Sequence, residues 1–372
     1  MVRTAAIDAG FDALKGIFGG LEGKKVYIPN VVLKMDRGAL LGGEEINPIS
    51  ELHVKVTSDS LKESGVYAVG ELASRSSVAS QGNILDRKGT SDQALIVLLT
   101  AVALDAVEED SLSDNLDVTY QLSTGLPIDE SKIEGARKQF GDKLKNGSHL
   151  VEFMKTPNYE GKKVHIKFSD VFVNTEGHAA MVNITMSDDY KPRNTELLKK
   201  NVLIDDMGGN TTDLAVIRNG KIDSDYSTGL PLGIGRKLDD IIDEIFSVHR
   251  YQFKTRRELV ENIISKTNPY SIRPYDQVVS IKSIVDKHLL LFSKEQYNFL
   301  KRTWSNVGNL DCAYIVGGTA YLLKDFILDI NKNDSKFDLK FLDDAEESIW
   351  SISKAYQKLL ILKSKKLTEN AK

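Results

Sequence analysis

Apolar positions fall into two kinds of pattern along this chain. Some form short runs that stop at a Gly turn, and others recur at helical spacing. Thr4–Asp8, Val26–Leu33, Val54–Val56 and Val66–Val69 read as strands, and Asp36–Ile49, rich in Gly and charge, reads as an exposed loop. Ser91 or Asp92 caps a helix that runs to about Glu109. Its apolar residues lie nearly all round, which predicts burial between layers. Val118–Ser123 is a strand ending in Thr124-Gly125-Leu126-Pro127, and Ser131–Phe140 is amphipathic. Leu150–Met154 and Lys163–Phe168 alternate like a hairpin, and Val171–Val173 leads into a turn at Asn174–Gly177 with a helix beyond.

Ser187–Lys200, charged and containing a proline, reads as a crossover to a second half. Val202–Asp205 and Asp213–Arg218 are strands around another Gly turn, and Asn219-Gly220 is a hairpin signal. From Gly235 to Trp304 the spacing is mostly helical. It predicts one long helix over Tyr275–Trp304, with Val278, Ile281, Val285, Leu289 and Phe292 on one face. Ala313–Val316 is a strand running into Gly317-Gly318, and a final helix covers about Ala345–Leu362, followed by a Lys-rich tail expected to fray.

One repeat stands out. Asp8-Ala9-Gly10 closes an apolar strand, and Asp206-Met207-Gly208 closes another 198 residues downstream. Each is followed by a small-residue turn and a further strand.

Composition narrows the class. The 372 residues suggest two or three domains with a large core. The net charge of −4 argues against a chain that wraps duplex DNA over its surface. The single cysteine, Cys312, excludes an intrachain disulfide and a Cys-rich metal site and suits a reducing cytoplasm. Asp8 arrives too early for a signal-peptide core, and Ala94–Leu104 is too short to span a bilayer. The six histidines are scattered without metal-ligand spacing.

The Gly turns carry the candidate chemistry. Bare backbone at Gly10, Gly208 and Gly209 lets successive N–H groups approach phosphate oxygens, with Asn210 and Thr211 as further donors and Lys15 as a point charge. An Asp at the strand end cannot face a phosphate directly, so Asp8 and Asp206 call for Mg²⁺ with water between. Gly317 and Gly318 offer a flat surface for a base or ribose, and Gly233, before a helix N-terminus, lies near a phosphate or ribose. The P-loop pattern is absent. Lys254-Thr255-Arg256-Arg257 reads either as a solvated basic face or as a nucleotide or filament contact.

Two strand–Asp-x-Gly turns in two halves, then strand–Gly-Gly–helix, resemble the phosphate 1, phosphate 2 and adenosine motifs of the actin, sugar-kinase and heat-shock ATPase superfamily. Thr124-Gly125-Leu126-Pro127 and the Asp206, Gly208, Gly209, Thr211, Asp213 pattern are most similar to the bacterial plasmid-segregation group, the ParM or StbA-like actins. The resemblance implies an α/β actin-like fold of two duplicated ribonuclease-H-like domains with a nucleotide cleft between them. It implies a first domain over 1–195, with a smaller subdomain at about 30–88. The second covers 196–340, with a helical subdomain at about 236–304, and a C-terminal helix over 341–372 packs back on the first. By the same resemblance Asp8 and Asp206 hold water-coordinated Mg²⁺, and Gly10, Lys15, Gly208, Gly209, Asn210, Thr211, Gly317 and Gly318 are nucleotide positions. Glu176 sits where the family aligns the attacking water. Phe11-Asp12-Ala13 departs from relatives that carry Ser or Thr in the first turn.

The implied function is a cytoplasmic ATPase that polymerises head to tail into dynamic filaments for plasmid DNA segregation, with hydrolysis destabilising the polymer. A DNA-binding adaptor would link it to its cargo without direct DNA contact and without a membrane. GTP is the alternative nucleotide. A small-molecule kinase and a shape- or division-type bacterial actin are the alternative functions. A heat-shock-type chaperone fits poorly, because only about fifty residues follow Gly318.

Overall fold

The computed structural model describes residues 2–35, 47–76, 79–81, 87–342 and 345–370. Most of the expected loop over Asp36–Ile49 lies outside these residues, and its end enters a short 3-10 turn at Pro48–Glu51.

The first half holds β1 (Val2–Ala9), β2 (Ala13–Phe18), β3 (Lys24–Pro29), β4 (Val31–Lys34), β5 (His53–Ser58), β6 (Gly65–Val69), β7 (Ser80–Gln81), β8 (Asn115–Leu126), β9 (His149–Phe153) and β10 (Lys163–Thr175). With these go α1 (Glu71–Ser74), α2 (Asp92–Glu109), α3 (Ile128–Ser131), α4 (Ala136–Asn146) and α5 (Glu176–Thr185). The strands form one sheet in the order β3-β2-β1-β8-β10-β9-β5-β6-β4-β7. Its centre is parallel, β1 and β10 each pairing with β8.

The second half holds β11 (Asn201–Met207), β12 (Thr212–Arg218), β13 (Lys221–Ile222), β14 (Thr228–Leu230), β15 (Ser271–Ile272), β16 (Val279–Ser280), β17 (Cys312–Val316) and β18 (Leu339–Phe341). Its helices are α6 (Gly235–His249), α7 (Arg256–Ile263), α8 (Lys282–Val307) and α9 (Ala320–Asn333), and α10 (Ala345–Asn370) closes the chain. The sheet order is β13-β12-β11-β17-β18, with β14 on β12. The repeat is visible in the pairing. β1 is antiparallel to β2 and parallel to β8, and β11 is antiparallel to β12 and parallel to β17.

Strand alternation sorts the core into layers. Ala5, Ile7 and Ala9 of β1 pack into a core with α2, whereas Ala6 faces the opposite way. In the second half Leu203, Leu214, Val216, Ala313 and Ile315 join the helices α6 to α9. Val202, Ile204, Ala215, Ile217, Cys312 and Val316 point inward and meet Ala6 and Ile17 across α5 and α10. Two sheets therefore face each other across a layer of two helices. The same parity sends Asp8, Lys15, Asp206 and Asp213 inward, at strand ends where apolar filling stops.

Helix α2 meets its expectation. Ser91 accepts from the Ala94 N–H at 3.3 Å, and every residue from Ala94 to Val107 is buried. Two expectations need correction. Val26–Leu33 is not one strand: it breaks at Asn30 into β3 and β4, which lie far apart in the sheet order. The break is pinned to the first Gly turn, Asn30 donating from its backbone to Asp12 O and from Nδ2 to Gly10 O, both at 2.9 Å. The amphipathic stretch Ser131–Phe140 runs from the end of α3 through Gly135, whose φ is +76°, into α4. The helix expected from Tyr275 starts only at Lys282. Pro274 opens a 3-10 turn, Tyr275 and Asp276 have φ of 50° and 63°, and Val278 is exposed. The final helix continues past Leu362 to Asn370. No helix among the described residues is long and apolar enough to cross a membrane.

Candidate functional site

The two Asp–x–Gly turns come together at the strand ends. Asp8, Gly10, Lys15, Glu176, Asp206, Gly208, Gly209, Asn210, Thr211, Gly317 and Gly318 all line one small cavity of about 70 Å³, shared with Lys88 and Asp213. It opens beside a larger cavity of about 600 Å³, walled by Tyr27, Ile234, Leu238, Ile242, Gly318 and Leu322. Its size suits a nucleoside.

The turns are built alike. A Cβ on Gly10 would lie 2.9 Å from the Ala13 carbonyl oxygen, and one on Gly208 would lie 2.9 Å from that of Thr211, the equivalent residue of the repeat. Only glycine lets the backbone close so tightly at both places. Gly317, at φ +95°, lies against Asp206 where a Cβ would collide with the carboxylate. Gly318 has its open side toward the cavities: a Cβ there would meet only the Ile349 side chain, at 3.8 Å. Gly233 lines neither cavity. It packs behind the second turn, on the backbone of Gly209 and Asn210, and it is Ile234 and Gly235 that reach the larger cavity.

The electrostatics centre on a chain of buried charges. Lys15 Nζ lies 3.3 Å from Asp8 Oδ2, and Lys88 Nζ lies 2.6 Å from Glu176 Oε1 and 3.6 Å from Asp8 Oδ1. Lys88 is 3% exposed and had no motif to mark it. Its turn is held by Glu130, which accepts from the Lys88 and Gly89 backbone N–H groups at 2.6 and 2.9 Å. Burial pushes the Asp8 carboxyl up, but Lys15 and Lys88 outweigh it and hold it below its ordinary value. Burial works against the charge on Lys88 as well, and Glu176 and Asp8 overcome it and raise its pKa. Glu176 is raised, chiefly by burial, with Lys88 pulling it down and Asp8 pushing it up.

Asp206 lies at the second strand end, and burial followed by the charges of Glu176 and Asp8 pushes its pKa up to about 7. Asp213 is raised well above its usual range by burial and by Glu176 and Asp206. Acids thus outnumber bases in a confined space, and their protonation equilibria are shifted accordingly. A cation would relieve this excess. No cluster of three or more His, Cys, Asp or Glu suited to hold a metal directly occurs among the described residues.

The basic cluster faces the cleft rather than bulk solvent alone. Arg256 binds Asp239 of α6 through two N–H groups at 2.7 and 2.6 Å and reaches Asp12 of the first turn at 3.0 Å. Arg257 stacks over Tyr27 at 5.0 Å and lies 3.6 Å from Glu71. Asp12 is therefore paired across the cleft.

Two family models match the sequence, the N-terminal domain of actin-like proteins over residues 6–178 and the Alp7A C-terminal domain over residues 201–344. No curated protein matched the sequence. Among solved structures, ParM of Bacillus thuringiensis with ATP superposes with a TM-score of 0.76 at 22% identity, over 98% of this chain and 99% of that one. The actin-like protein Alp7A gives a TM-score of 0.79 at 20% identity over 100% of both chains. A subunit of a 15-stranded ParM filament from Clostridium botulinum gives 0.68 at 20% identity, over 97% of this chain and 99% of that one. The fold is actin-like.

Proposed function

The chain belongs to the actin-like proteins, matched by the family models in both of its halves, and from that premise we propose that it is an ATP-dependent polymerising protein of plasmid DNA segregation. The observation that carries this reading is the meeting of two equivalently built Asp–x–Gly turns over one cavity between two sheets. The neighbours support it: ParM of Bacillus thuringiensis was solved with ATP, AMPPNP and ADP, and ParM of Clostridium botulinum as a filament. They do not favour the small-molecule kinase. We read residues 1–195 and 196–340 as the two domains, with the C-terminal helix returning to the first.

In this reading the Gly318 turn carries the adenosine beside the larger cavity. Backbone N–H groups at Gly10, Gly208 and Gly209, with Asn210 and Thr211, donate to phosphate oxygens, and Lys15 adds a point charge. Asp8 and Asp206 would hold Mg²⁺ mainly through water, in a cavity where acids outnumber bases. A cation held there would supply charge neutralisation at the phosphates. Glu176 aligns the attacking water, and Lys88 fixes the aim of its carboxylate. Subunits add head to tail, an open contact that makes filaments, and a DNA-binding adaptor couples them to the cargo.

Light scattering and electron microscopy with ATP and Mg²⁺ test the reading. Filaments are expected, shrinking as phosphate is released. A chain that stays monomeric well above micromolar concentration would sink it, and competition with GTP decides the base.

Arg256 gives a second expectation. It ties Asp12 in one half to Asp239 in the other. Charge-assisted hydrogen bonds contribute about 1.5–3 kcal/mol each. Arg256→Ala is therefore expected to speed nucleotide release about tenfold, measured by stopped flow with a fluorescent nucleotide. An unchanged rate would show that the ion pair does not hold the cleft.

A further inference from the structure

Tyr356, on α10, is wholly buried, and its hydroxyl has no hydrogen-bond partner among the described residues. Buried tyrosine hydroxyls are normally paired, and a phenylalanine would fill the same space without an unpaired oxygen. The surrounding chain also makes room for that oxygen. A Cβ on Gly125 would overlap the Tyr356 hydroxyl, so the bare backbone of Gly125 is what seats it.

Gly125 lies on the central strand of the parallel trio. Asn174 of β10, two residues before Glu176, pairs with it directly. On the other side β1 runs parallel in a register that pairs Ala6 with Ser123, bringing Asp8 alongside Gly125. The phenol tip thus rests at the end of the strand between the one that carries Asp8 and the one that leads into Glu176. One helical turn earlier on α10, Ile352 lines the small cavity. Tyr356 stands just behind that wall. Burial first, then Glu176, Asp8, Asp206 and Asp213, hold its ionisation well above the ordinary value, so it keeps its proton and remains a hydroxyl donor.

The helix that bears it is anchored to both motif sets. Ser353 Oγ donates to the Lys15 carbonyl at 2.8 Å, and Ser348 Oγ donates to the Gly317 carbonyl at 2.6 Å. α10 is therefore tied to the first turn's return strand and to the Gly317 turn of the second half at once.

We propose that Tyr356 is a positioning residue for nucleotide hydrolysis, its hydroxyl donating to the Glu176 carboxylate when the cleft closes and fixing that carboxylate toward the attacking water. This rests on the ATPase reading of the site. It gives the α10 helix a part in hydrolysis in addition to its part in packing.

Tyr356→Phe removes one oxygen and tests this directly. The expected result is a fall of about tenfold in kcat for phosphate release, with KM within about twofold and a melting temperature equal to or above that of the unaltered chain. An unchanged kcat with a raised melting temperature would identify the tyrosine as packing only and overturn the proposal. A second variant guards against a general loss of folding. Because Tyr356 acts through Glu176, Glu176→Gln/Tyr356→Phe should be no slower than Glu176→Gln alone. A further tenfold loss in the double variant would also overturn it. The unaltered chain in the same assay reports on the underlying reading: if it binds ATP without hydrolysing it, or does not bind it, that reading falls and this one with it.

Discussion

Phosphate release in a Glu176→Gln variant is expected to fall by about a hundredfold, the lower end of what a positioned acid–base group contributes. Filament assembly is expected to persist. Glu176 stands at the first residue of α5, 9% exposed, with Oε1 held by Lys88. Glutamine keeps the size of the side chain and an oxygen for Lys88 but gives up the charge that draws a proton from water. Lys88 keeps Asp8 as a second partner at 3.6 Å, so the site retains its local balance. Binding runs through the Gly turns and Lys15, which the substitution leaves alone. The variant should therefore assemble and fail to disassemble. Phosphate release and pelleting, followed in one time course, check both parts. An unchanged release rate would remove Glu176 from the mechanism, and loss of assembly would mean that Glu176 serves the fold or the binding step instead.

Much of this site was legible in the chain because its logic is local. An apolar strand, an Asp at its end and a glycine two residues later are neighbours in sequence, and their recurrence 198 residues later gives the second turn. Strand parity then decides which face each Asp takes, as Asp205 illustrates. It adjoins Asp206 but is buried on the opposite face, where burial raises its carboxyl well above the usual range. Lys88 was not legible. It reaches the site because Glu130, 42 residues away, captures its backbone, and a lone lysine before a helix cap carries no pattern. Tyr356 was hidden for a related reason. Its hydroxyl is seated by Gly125, 231 residues earlier, while at helical spacing it reads as core. The helix expected from Tyr275 failed on backbone geometry: Val278 continues the apolar spacing of Ile281 and Val285, but left-handed residues at Tyr275 and Asp276 precede it and the chain enters β16 instead. Asn30 broke an apolar run for a tertiary reason, since its side chain supports the first turn.

The basic cluster shows how the two halves depend on each other. From sequence, Arg256 and Arg257 belong to a basic cluster that reads either as a solvated face or as a nucleotide or filament contact. In the fold they meet Asp12, Tyr27 and Glu71, all from the first half. Asp12 stands in the first turn and accepts from Arg256 at 3.0 Å, so the first turn and the basic cluster of the second half are paired across the cleft.

Asp206→Asn is expected to weaken Mg²⁺-nucleotide binding by at least about a hundredfold at pH 8, and to remove most of its pH dependence. Asp206 sits against Gly317 at the mouth of the second turn, with its pKa pushed up to about 7 by burial and by Glu176 and Asp8. In the folded, ligand-free chain it therefore keeps a proton between its ordinary value, near 4, and about 7, whereas the unfolded chain has released it. The sign follows: this group makes the ligand-free protein less stable as pH rises through that window. A bound cation reverses the preference and favours the ionised form. Binding below pH 7 must then expel a proton, and affinity should fall about tenfold for each pH unit below 7. Titration calorimetry at pH 6 in two buffers of different ionisation enthalpy measures the released proton. The Asn variant has no proton to lose at this position, so any slope it keeps belongs to the nucleotide itself. Equal slopes in the two proteins, or affinity retained at pH 8, would show that the cation is held elsewhere and that the second turn binds phosphate without the help of Asp206.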